Sequence, residues 1–115
     1  MPYWGTKADE CDYAFDSLGS YLTHIRKRML EDAEAAIAHR HPEQSILVSL
    51  QVFKTLWDVF PKCVKVAFHR KDFERCRLLF DEWLTAVGPE LPQSRRSALL
   101  AEAKVIFEAC EDMYR

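Results

Sequence analysis

Apolar residues recur along the chain at steps of three and four, the spacing that lines one face of a helix. Between Asp9 and His39 this stripe consists of Cys11, Ala14, Phe15, Leu18, Leu22, Ile25, Met29, Ala33, Ala36 and Ile37. Asp9, Glu10 and Asp12 stand where a helix start favours negative charge, and His39, Arg40 and His41 stand where its end favours positive charge. A helix of that length reaches about 45 Å, so Gly19 is a candidate bend. Lys27 with Glu31 and Arg28 with Asp32 are spaced to pair along its outer face.

A second stripe follows His41-Pro42, with proline suited to the first helical turn: Ile46, Leu50, Phe53, Trp57, Phe60, Val64, Ala67 and Phe68. Its phase persists across Pro61, which predicts a second helix kinked or broken at that residue, where a backbone donor is missing. Phe73, Cys76, Phe80, Trp83, Leu84 and Val87 make the third stripe, and Gly88-Pro89 is expected to end it with a left-handed cap. Ser94 is a candidate cap for a fourth helix with Leu99, Leu100, Ala103, Ile106, Phe107, Cys110, Met113 and Tyr114 on its face. Strand-like alternation is not sustained anywhere. The expectation is an all-α fold, an antiparallel four-helix bundle with a long first helix, because short connections return each helix alongside the last.

Composition narrows the class without naming a reaction. The 115 residues are 49% apolar and 30% charged, with 3 Gly, 5 Pro and a net charge of -2, which fits one domain over residues 1–115 and excludes a disordered or fibrous chain. No apolar run is long enough to span a bilayer, and the N-terminus lacks the pattern of a secretory signal, so a cytoplasmic location is expected. Cys11, Cys63, Cys76 and Cys110 lack the close pairing of zinc or redox motifs and fall on apolar stripes, as buried thiols do.

The chemistry of a site is hard to find. The Glu-x-x-His pairs of a helical metal centre are missing, as are a Gly-x-Ser-x-Gly elbow and a glycine-rich phosphate loop. His39 and His41, two apart, would leave a helix on different sides, and His24 and His69 are isolated. The aromatic residues lie on core stripes, where packing accounts for them. No metal, no cofactor and no enzymatic activity are therefore expected.

Charge is the more informative signal. Residues 1–20 sum to -3, residues 21–60 to zero, residues 61–77 to +4 and residues 78–115 to -3. Lys62, Lys65, Arg70, Lys71, Arg75 and Arg77 straddle the link between the second and third stripes, which would gather them at one end of the fold. Helix-dipole complementarity, with Asp72 and Glu74 as local partners, is one account of them. Docking of an acidic partner is the other, and nucleic acid is disfavoured because six cations with two opposing carboxylates and few exposed aromatics make a weak footprint. Asp9, Glu10, Asp12 and Asp16, with Tyr3 and Trp4 before them, form a second candidate end for a basic partner, although Tyr3 and Trp4 also suit covering the open end of a core.

The opening Tyr3-Trp4-Gly5-Thr6, followed by Asp12-Tyr13-Ala14-Phe15-Asp16, resembles small bacterial proteins of unknown function that open with Trp-Gly and an acidic helix start. Some such proteins are immunity proteins of polymorphic-toxin systems. The resemblance implies binding without catalysis: a cytosolic protein that occludes a cognate toxin. The alternative expectation is a helical regulatory or structural adaptor that self-associates through an apolar patch.

Overall fold

The computed structural model describes residues 12–115, with side chains from Asp16 onward, and every regular element in it is helical. The helices are α1 (Asp12–Ala38), α2 (Ile46–Val59), α3 (Pro61–Ala67), α4 (Arg70–Val87) and α5 (Gln93–Glu111). Single 3-10 turns follow at Gly88–Glu90 and Asp112–Tyr114.

The first stripe becomes one uninterrupted helix. α1 continues without a break through Gly19, where an added Cβ would meet open space. Leu22, Met29 and Ala33 are buried, and Arg28 grips Asp32 one turn on, whereas Lys27 and Glu31 form no ion pair among the described residues. α1 closes at Ala38, and two residues on Arg40 turns left-handed with a φ of 49°. There the amide of His41 reaches back to the carbonyl of Ala36 (2.9 Å) and that of Arg40 to Ile37 (3.2 Å), the paired closure of a Schellman cap.

Proline 61 breaks the second stripe in two. Phe60 leaves helical geometry (φ −130°, ψ 64°) while its own amide still closes α2 on Leu56. Pro61 then opens α3, where the first amide would have no helical partner in any case, so the missing donor costs little. The phase survives the break: Ile46, Leu50 and Phe53 on one side and Val64, Ala67 and Phe68 on the other are all buried. Two expected boundaries move. α2 begins at Ile46, four residues beyond Pro42, because Trp83 Nε1 donates to the His41 carbonyl (2.8 Å) and holds that segment as a connection. Gly88 is right-handed (φ −48°) and continues into a 3-10 turn, so the third stripe ends where expected but without a left-handed cap. α5 starts at Gln93 with Pro92 before it, placing Ser94 inside the first turn.

α1 packs against α3 and α4, and α2 packs against α3 and α5. Aromatic side chains fill the space between. Phe53 stacks on Phe68 at 4.3 Å, and Phe107 of α5 meets both Phe73 and Phe80 of α4 edge-on, at 6.2 and 5.6 Å. Each fully buried aromatic in this set contributes about 2–3 kcal/mol through lost apolar surface. None of the helices among the described residues is long and apolar enough to cross a membrane.

Candidate functional site

The basic stretch between residues 62 and 77 is shared among the end of the broken arm, the junction at Phe68-His69 and the first half of α4. That junction is itself tightly held. Arg26 of α1 donates to the Ala67 carbonyl (2.9 Å) with Asp72 at 3.9 Å, and the Tyr114 hydroxyl donates to the Phe68 carbonyl (2.8 Å). The Asp72 carboxylate also accepts from the His69 amide (2.8 Å), capping the start of α4. The element carrying the cations is thus fixed from both α1 and the C-terminal turn.

The structure divides the six cations by type. Arg75 reaches Glu34 on α1 (2.8 Å). Arg70 and Arg77 share the two oxygens of Glu111 on α5, and Arg77 also lies over the rings of Phe73 and Phe107, 5.5 and 5.6 Å from their centroids. Among the described residues, Lys62, Lys65 and Lys71 form no ion pair, and all three are exposed. A planar guanidinium with several donors can bridge carboxylates and lie on rings, whereas a strongly hydrated ammonium stays in water. Asp72 and Glu74, expected as local partners, are engaged by Arg26 and by Arg70.

What remains is a cationic surface on α3 and the first turn of α4. Lys62, Lys65 and Val66 share the exposed side of the short helix, with Val66 59% accessible. Three ammonium groups without an ion pair among the described residues, beside an apolar side chain, suit an acidic protein surface: the charges steer the encounter and the valine supplies area to bury. Of the other expected end, Tyr3, Trp4, Asp9 and Glu10 lie outside the described residues, Asp12 opens α1, and Asp16 is exposed.

His39 and His41, expected on different sides of a helix, instead line one hollow of about 520 Å³ with Asp32, Glu43 and Gln44. Arg40 turns the chain left-handed between them, and α1 has already ended. Among the described residues no three His, Cys, Asp or Glu side chains are placed to hold a metal ion. The Gln44 carboxamide is buried there with neither its oxygen nor its nitrogen hydrogen-bonded to a described residue.

Of the four cysteines, Cys63, Cys76 and Cys110 are in the interior, and Cys11 lies outside the described residues. Burial pushes Cys76 up to about 12, helped by the nearby Asp72 charge, and pushes Cys110 up to about 11. Tyr114 is raised as well, chiefly by burial. All three stay protonated near neutral pH, and a protonated buried thiol is a poor nucleophile. Cys63 is buried with them.

The residues that sequence reasoning missed are the outward valines of α2. Val48, Val52 and Val59 fall out of phase with the core stripe, and that misfit was the available signal. No family model, curated protein or solved structure matches the chain.

Proposed function

We propose that this protein is a non-catalytic binding module that occludes an acidic protein partner, the role that the Trp-Gly opening implies for an immunity protein facing its toxin. The observation that carries the reading is the division of cations: the arginines of the basic stretch are engaged within the fold, while Lys62, Lys65 and Lys71 are left in solvent. Exposed charges that pair with no described residue are available to a partner. The reading treats α2 and α3 as one interrupted arm of an antiparallel four-helix bundle in the bacterial cytoplasm. The packing of α1 on α3 and α4, and of α2 on α5, supports that arrangement.

The test is co-expression with the product of the neighbouring gene, scored by growth and co-purification. Wild-type chain should rescue growth and co-purify. A Lys62→Glu, Lys65→Glu, Lys71→Glu variant of unchanged helical content should lose rescue and bind about 100-fold or more weakly. Failure of the wild type to rescue or co-purify, or equal binding by the triple variant, would sink the reading.

A further inference from the structure

Where α1 closes and α2 and α5 begin, the hollow of about 520 Å³ carries chemistry that the fold does not use. Gln44 lines it, and both polar atoms of the Gln44 carboxamide are buried without a hydrogen bond to any described residue. No other buried side-chain nitrogen or oxygen among the described residues is left in that state. A buried amide with donor and acceptor both idle is costly, so folded proteins give such a group a partner, and the space this one adjoins is the hollow. The segment that carries it is held in place. His41 Nδ1 accepts from the Glu43 amide (3.1 Å), and the His41 carbonyl accepts from Trp83 Nε1 (2.8 Å).

Two charged side chains of opposite sign line the same hollow. Glu43, beside Gln44 in the chain, and Arg95, in the first turn of α5, are exposed and form no ion pair among the described residues. Asp32, the other acid on the wall, is neutralised by Arg28 at 3.1 Å. The unpaired charge therefore sums to zero with both signs present, and that balance selects among ligands. A phosphate or a dicarboxylate gains Arg95 but meets Glu43, and a simple amine gains Glu43 but meets Arg95. A zwitterion satisfies both. The idle carboxamide calls in addition for a donor and an acceptor side by side, which a peptide group supplies.

We infer that this hollow binds a short peptide with free ends: its ammonium on Glu43, a peptide group on the Gln44 carboxamide, its carboxylate on Arg95, and small side chains against Ala35, Ala36 and Val48. An apolar cleft with a few polar groups that fix orientation is the common plan of small-ligand sites, and the volume lies within the range of about 300–1,000 Å³ usual for them. Both charged side chains are wet, so the affinity is modest, with a dissociation constant of the order of 0.1–1 mM. The site shares no helix with Lys62, Lys65 and Lys71, so the two readings fail separately.

Isothermal titration of the full chain with tri-alanine up to about 10 mM, well above that constant, provides the test. The wild type should bind, and blocking either end of the peptide, by N-acetylation or by C-amidation, should weaken binding about tenfold. Gln44→Leu, Glu43→Gln and Arg95→Met, each with wild-type helical content, should weaken it about fivefold or more, while Lys62→Glu with Lys65→Glu should bind as the wild type does. Glu43→Gln, at an exposed position, keeps the test decisive if Gln44→Leu disturbs the fold. Absence of binding to the wild type overturns the inference. Equal binding of the blocked peptides or of succinate overturns it too, because the hollow then does not read both charges.

Discussion

Within sixteen residues the chain uses positive charge in two opposite ways. Along α4, Arg70, Arg75 and Arg77 reach across to carboxylates on α1 and α5, and Arg77 covers two rings as well. Along α3 and into the first turn of α4, Lys62, Lys65 and Lys71 reach nothing among the described residues. The arginines tie helices together, and the lysines set the electrostatic character of the surface. Removing a cation from one group should therefore change stability, and removing one from the other should change only what the surface attracts.

The sharpest way to break this comparison lies at the junction between the two groups. Arg26→Met strips the donor from the buried Ala67 carbonyl and leaves Asp72, only 13% accessible at its side chain, without its cation. The expected loss is about 2–3 kcal/mol, visible as a lower urea midpoint at unchanged slope. A change within experimental error would mean that the junction does not depend on α1. Glu111→Ala is the next step down, since it releases Arg70 and Arg77 together. Both arginines are about half exposed, so screening limits the loss to about 1–2 kcal/mol, and the difference from wild type should shrink in high salt. Replacing Lys62, Lys65 and Lys71 together by Ala should shift stability by less than about 0.5 kcal/mol in thermal or chemical unfolding. A larger loss from the lysines than from Glu111 would reverse the assignment of roles.

How much of this was legible in the sequence depends on the range of each interaction. The buried stripes were legible because their cause is local periodicity: Leu22, Met29 and Ala33, Ile46, Leu50 and Phe53, Phe73, Cys76, Phe80, Trp83 and Val87, and Leu99, Ala103, Ile106 and Cys110 are buried as spaced, whereas Leu100, expected on the fourth stripe, is 49% accessible. The interruption at Pro61 was legible because a missing amide acts on its own turn. The pair Arg28–Asp32 was legible for the same reason, at four residues' separation. The start of α2 was not, since a tryptophan 42 residues away holds His41 in place. Nor were the carboxylates that engage the arginines, which lie 34 to 41 residues distant. The basic stretch could be counted from its letters, but only the packing of α4 against α1 and α5 divides arginine from lysine.

The left-handed residue at the close of α1 has a wider consequence. Glycine is the ordinary occupant of such a position, and a side chain there carries a conformational penalty of about 1 kcal/mol. The same Arg40 side chain donates to the Ala86 carbonyl and to Glu90, fastening the far end of α4 and its 3-10 turn to the end of α1. Strain and fastening sit in a single residue. Glycine would relax the backbone and unfasten the ends, while alanine would unfasten them and keep the strain, so one corner of the molecule has no neutral substitute.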